Sequence, residues 1–365
     1  MPATPLRPIH QAIRQMIARH TDLLPVGFHA LWDPPNPAQL VRSHLLAPRL
    51  LDLPQYYYSP SAHHLLGHWN FAQTSTSSHQ QKQQQPPAIE ETTLFTLLDD
   101  ATAELSTRLM SAVPRDEPYI GFTVNLTIEK SADTRPAARS FYFDARTTLV
   151  KDRKVVIECP VYDTETAAKL LVARATFVFV PLASMKNRLA DPSDPSRGSQ
   201  AAGSGAGAVL SQLNATDACP LSPADLSSLS QPMNFMPKNT VPHKDGSVSL
   251  SAKRLVAMLD FDKDLSGPPI YVHGGLLGTV LYNASALLFT KVTGIASTAV
   301  DAIVRDINYH KGVDLESKGI IVDASVEAID PKTNHVVIFA KLERNGKVHT
   351  TLKTTFAPKP RESKL

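Results

Sequence analysis

Val272-His273-Gly274-Gly275-Leu276-Leu277-Gly278-Thr279 is the stretch from which the fold is read. Two adjacent glycines follow a histidine, and an apolar period begins at once. Leu276, Leu277, Val280, Leu281, Ala284, Leu287 and Leu288 recur at helical spacing, which predicts a helix over Gly275–Lys291. Strand-like runs follow at Ala299–Tyr309, Gly319–Ile329, His335–Arg344 and Lys347–Ala357. Asn345-Gly346 is a two-residue hairpin signal, and Asp330-Pro331 opens another turn.

The same order of elements occurs earlier in the chain. Leu94, Leu97, Leu98, Ala101, Leu105 and Leu109 predict a helix over Thr93–Met110, with Glu104 and Arg108 as an i,i+4 pair. Strand-like runs follow at Ile120–Glu129, Arg139–Val150, Lys154–Tyr162 and Leu170–Pro181. Arg174-Ala175-Thr176-Phe177 ends the first set, and Lys353-Thr354-Thr355-Phe356 ends the second, 179 positions later. A helix followed by four long strands, twice, argues for duplication of one α+β unit.

Composition sets bounds on this reading. The 365 residues are 42% hydrophobic and carry a net charge of +3, which gives no electrostatic case for a nucleic-acid partner. Two cysteines, Cys159 and Cys219, are too few for a disulfide framework or a cysteine-rich zinc site. No run of about 18 apolar residues predicts a membrane span. The trio His63, His64 and His68 has no carboxylate or thiol beside it in sequence, and a polar loop is the expectation over a metal site. No cofactor or metal is called for. There is no G-x-S-x-G elbow.

Segments rich in Gln or in Pro, Ser and Gly divide the chain. The expected organisation is an N-terminal extension (1–55), a first unit (56–183) with a Gln-rich insert (73–87), a linker (184–244), a second unit (245–358) and a tail (359–365). The tail ends in Ser363-Lys364-Leu365, the tripeptide read by the peroxisomal import receptor, so a peroxisomal location is expected.

The His273-Gly274-Gly275 opening of an apolar helix, followed by four strands, resembles the hot-dog-fold acyl-CoA thioesterases of the PaaI-like group. Ile307-Asn308-Tyr309 and Ala173-Arg174-Ala175-Thr176-Phe177 are similar to phrases of that family as well. The resemblance implies a tandem (double) hot-dog, each unit an antiparallel sheet wrapped around a central helix. It implies hydrolysis of an acyl-CoA to a free acid and coenzyme A, with no membrane span, and allows a homo-oligomer of double hot-dogs.

Thioester hydrolysis places negative charge on the carbonyl oxygen, and backbone N–H groups at a helix start can receive it. A carboxylate must then activate water or attack the carbonyl itself. In the family this is an aspartate nine residues after the motif's histidine. The ninth residue after His273 is Tyr282, followed by Asn283. The family's aspartate stretch resembles Thr96-Leu97-Leu98-Asp99-Asp100-Ala101 instead, where the glycines are replaced by Glu90-Glu91-Thr92. Each half lacks what the other keeps. A composite site follows as the expectation: Asp99 (with Asp100 its competitor), Thr123 to hold water, and His273, Gly274 and Gly275 to meet the carbonyl. The counterpart around Tyr282 and Glu91 would be degenerate. Arg305, Lys311 and Lys318 are candidates for the nucleotide phosphates by charge alone.

Two other functions compete. A decayed acyl-CoA-binding or scaffold protein would also split the motif. An enoyl-CoA hydratase needs an Asp and a His close together, and Asp306-Ile307-Asn308-Tyr309-His310 resembles its motif, one residue short and without the expected proline.

Overall fold

The computed structural model describes residues 22–25, 55–71, 91–112, 117, 119–131, 140–181, 183–184, 249–251, 253–261, 271–295, 300–314 and 317–358. The Gln-rich insert, nearly all of the linker and the Ser363-Lys364-Leu365 tail lie outside these residues, as do most of the N-terminal extension and Cys219.

In chain order the strands are β1 (Leu24–Pro25), β2 (Gln55–Ser59), β3 (His64–Asn70), β4 (Tyr119–Lys130), β5 (Ser140–Lys151), β6 (Lys154–Asp163), β7 (Lys169–Pro181), β8 (Ser249–Ser251), β9 (Arg254–Leu259), β10 (Val300–Tyr309), β11 (Ile320–Ile329), β12 (Val336–Arg344) and β13 (Lys347–Pro358). Helix α1 (Glu91–Ala112) stands between β3 and β4, and α2 (Gly274–Thr293) between β9 and β10. Both helices and all eight long strands fall within two residues of their predicted spans. Asn345 and Gly346 both have positive φ, as the β12–β13 hairpin requires.

A hairpin precedes each helix, β2–β3 in the first half and β8–β9 in the second. The expectation of a polar loop around the histidine trio holds for His63, exposed in the turn between β2 and β3, and is corrected for the other two. His64 and His68 lie on β3, where His64 Nδ1 is 3.8 Å from Asp144 and His68 Nε2 is 2.7 Å from Ser140 Oγ. Aromatic and aliphatic residues at alternate positions put this hairpin in the sheet: Tyr56, Tyr58, Leu65 and Trp69 are all buried.

All described strands form one antiparallel sheet of thirteen, ordered β1-β2-β3-β5-β6-β7-β4-β10-β13-β12-β11-β9-β8. Read outward from the β4–β10 seam, the two sides mirror each other over six strands, with β1 added at one edge. Each half curls around its own helix, and the helices pack against one another. This is a double hot-dog. The burial shows why each helix sits where it does. Leu97, Leu98, Ala101 and Leu105 are sealed in α1, as are Leu281, Ala284 and Leu288 in α2. Each such leucine contributes about 1.5–3 kcal/mol on burial. By length and composition α2 is apolar enough to cross a membrane, but 72% of its most apolar 18-residue window is buried inside this fold, which accounts for its hydropathy.

The internal correspondence goes beyond strand order. Thr102 Oγ1 donates to the Leu98 carbonyl at 2.7 Å, and Ser285 Oγ donates to the Leu281 carbonyl at 2.8 Å. The residues after those two leucines are Asp99 and Tyr282. Thr123 pairs with Phe177 beside a register shift in β4, and Ala302 pairs with Phe356 beside a register shift in β10. These matches fix which residue of one half stands for which of the other.

Candidate active site

Helix α2 begins with an unusual lack of charge. Its first turn carries no acidic side chain, although an anion there is favourable. The anion comes instead from the other half. Asp99 Oδ2 accepts the Gly275 N–H at 3.1 Å, across a sequence separation of 176 residues. The same N–H also reaches His273 Nδ1 at 3.0 Å, so His273 caps its own helix with that nitrogen as an acceptor. This assigns the imidazole proton to Nε2 when the ring is neutral. His273 Nδ1 lies 3.6 Å from Asp99 Oδ2.

The second carboxylate oxygen is held as well. Thr123 Oγ1, on β4, donates to Asp99 Oδ1 at 2.8 Å. Asp99 is only 5% exposed, so its carboxylate is held by these partners rather than by solvent. The structure thus brings Asp99, Thr123, His273, Gly274 and Gly275 into one place. It is the Asp99 carboxylate, rather than that of the neighbouring Asp100, that meets Gly275 and Thr123. Glycine is required sterically at Gly275: a Cβ there would lie 2.8 Å from the Thr96 backbone Cα of α1.

One expectation changes in detail. The Gly275 N–H is engaged by Asp99 and His273. Among the described residues nothing accepts the Gly274 N–H, which leaves that amide as the donor open to a substrate oxygen. Tyr309, at the end of β10, joins the site unexpectedly. Its hydroxyl donates to the Gly274 carbonyl at 3.0 Å, and burial followed by the charge of Asp99 pushes its phenol well above the usual tyrosine range. The sequence signal for it was the Ile307-Asn308-Tyr309 phrase, to which no role was attached.

The matching place in the other half is filled by hydrocarbon and a buried cation. Tyr282 stands where Asp99 does, its ring 5.9 Å from Phe95 and 6.0 Å from Phe356. Ala302 stands where Thr123 does. Arg305 is 3% exposed, with its guanidinium 5.5 Å from the centres of both the Phe95 and Tyr282 rings. Its proposed contact with nucleotide phosphates is therefore corrected, while Lys311 and Lys318 remain exposed. The hydratase motif also separates. Asp306 accepts from Asn125 and Thr127 at the seam, and the exposed His310 ring lies 3.2 Å from Thr351 Oγ1. No group of three or more His, Cys, Asp or Glu residues able to hold a metal occurs among the described residues.

No family model matches this chain, and no curated protein matches it by sequence. Solved structures with a similar course include the tesB protein of Mycobacterium avium subspecies paratuberculosis, at 10% identity, covering 80% of this chain and 93% of that one, with a TM-score of 0.44. The 12:0-ACP thioesterase of Umbellularia californica is 10% identical over 81% of this chain and 95% of its own, with a TM-score of 0.45. Acyl-CoA thioesterase II TesB2 of Mycobacterium marinum is 10% identical over 82% and 94%, with a TM-score of 0.43.

Proposed function

We propose that the chain is an acyl-CoA thioesterase that releases a free acid and coenzyme A from one composite site. The observation that carries this is the Asp99 carboxylate, buried at the glycine start of the opposite helix and held on its other oxygen by Thr123. A carboxylate so placed serves as a general base, and the Thr123 hydroxyl beside it offers a second point to hold water.

In the reaction, Asp99 takes a proton from water as the water oxygen bonds to the thioester carbon. The carbonyl electron pair moves onto oxygen, where the Gly274 N–H and the positive end of α2 stabilise it. Collapse restores the carbonyl and breaks the C–S bond, and the proton on Asp99 passes to the departing sulfur. Direct attack by Asp99 followed by hydrolysis of the anhydride uses the same groups.

The test is thiol release across a panel of acyl-CoA chain lengths, with wild type and Asp99→Asn in parallel. Hydrolysis that survives in the variant overturns the assignment. Tight acyl-CoA binding without thiol release by the wild type favours the binding-protein reading, which the engagement of the Gly275 N–H by Asp99 and His273 supports. We further propose peroxisomal import through Ser363-Lys364-Leu365. Deleting Leu365 from a tagged protein should then abolish organelle targeting, and unchanged targeting removes the claim.

A further inference from the structure

The inner side of β10 lies directly on a glycine edge of α2. Ile307 and Tyr309 alternate along the strand and so share a face. A Cβ at Gly278 would meet Ile307 Cδ1 at 2.7 Å, with the Tyr309 hydroxyl 3.7 Å away. A Cβ at Gly274 would meet the Tyr309 ring at 3.4 Å and Asp99 Oδ2 at 3.1 Å. The Tyr309 hydroxyl closes this contact by donating to the Gly274 carbonyl. It touches the same peptide-bearing residue whose N–H is open to a substrate oxygen.

We infer that Tyr309 is a positioning residue: its hydroxyl seats the glycine start of α2 against β10 and thereby sets the Gly274 amide relative to Asp99. The inference rests on the thioesterase reading of that site. The other half supplies an internal control. Tyr309 pairs with Thr350 and Lys130 pairs with Leu171, each partner six positions before the matching Phe356 and Phe177. Lys130 is thus the counterpart of Tyr309, and it turns to Asp301 at 2.8 Å. The half that lacks the glycine helix start also lacks the tyrosine. The high phenol pKa keeps the hydroxyl a donor throughout the range in which a carboxylate base works.

The test is Tyr309→Phe, which removes one oxygen and keeps the ring. A donor displaced by about 1 Å can cost up to about a hundredfold in rate. We expect kcat to fall about tenfold with KM changed less than twofold, and Lys130→Met, as a control, to stay within twofold of wild type. In the same variant, amide exchange at Gly275, Leu276 and Leu277 should accelerate, since those N–H groups bond Asp99 and His273. A kcat within twofold of wild type with unchanged exchange overturns the inference, as does a rise in KM that accounts for the whole loss. If wild type releases no thiol from any acyl-CoA, the functional reading fails by itself. Tyr309 is then judged by exchange alone: acceleration supports its seating role and unchanged protection refutes it.

Discussion

Two places in this molecule are related by the mirrored order of the sheet, and they have opposite contents. At one, a carboxylate, a hydroxyl and a glycine helix start converge: Asp99, Thr123 and Gly274-Gly275. At the other, the corresponding positions hold Tyr282 and Ala302, with Arg305 laid between Phe95 and Tyr282. The backbone geometry is shared down to the register shifts in β4 and β10. At these positions the difference lies in the side chains, and it teaches that a buried polar cluster is kept only where each member has a partner. Where the carboxylate is gone, aromatic packing and a stacked guanidinium close the space.

This comparison can be broken most directly at Asp99. Asp99→Asn should lower kcat by about a thousandfold, whereas Tyr282→Phe at the matching position should leave thiol release within twofold. Comparable losses in both would mean that the two places share the work. The next effect concerns the helix crossing. Gly275→Ala forces its new methyl against the Thr96 backbone, so the helices must part, at about 1–3 kcal/mol of stability. Gly278→Ala meets the tip of the Ile307 side chain rather than backbone, and its melting temperature should fall less. Equal losses would argue against the tight crossing.

A smaller effect is expected at the hydroxyl that donates to Asp99. Thr123→Val should reduce kcat about tenfold, while Ala302→Ser should alter the rate less than twofold. The smallest effect distinguishes the halves by acidity. His349 is buried, and its Nδ1 bonds the Gly312 carbonyl in the loop that packs on Tyr271, just before α2. Leu170 stands at the equivalent place in the first half. Burial lowers the His349 pKa below its ordinary value. The unfolded chain then takes up a proton first as pH falls through about 6.5, so this residue weakens the fold on acidification. Urea midpoints measured at pH 7.5 and 5.5 should differ less in His349→Gln than in wild type.

Much of this was legible in the chain. β6 and β12 alternate cleanly between buried and more open positions, and each helix shows an apolar stripe. Asp99 was placed at the Gly275 helix start by the complementary losses in the two halves. Other features were not legible, for physical reasons. In β9, Leu255 to Leu259 are buried on both faces, so the run does not alternate and gives no strand period. In β3, Gly67 interrupts the pattern because a side chain there would collide with the Phe143 ring, and the flanking histidines gave a polar impression. Arg305 looked like surface charge because sequence cannot reveal two rings from different helices meeting over a strand. The split of roles between the Gly274 and Gly275 amides required knowing where the Asp99 oxygens point.

The β4–β10 seam has a further consequence. Val304 to Asn308 pair with Glu129 to Asn125 through the backbone, within a single chain. Asp99 and Gly275 are thus tethered, and their encounter is independent of protein concentration. A site shared by separate subunits empties on dilution as the subunits part. Here the turnover per chain should stay constant down to the lowest enzyme concentration that can be assayed.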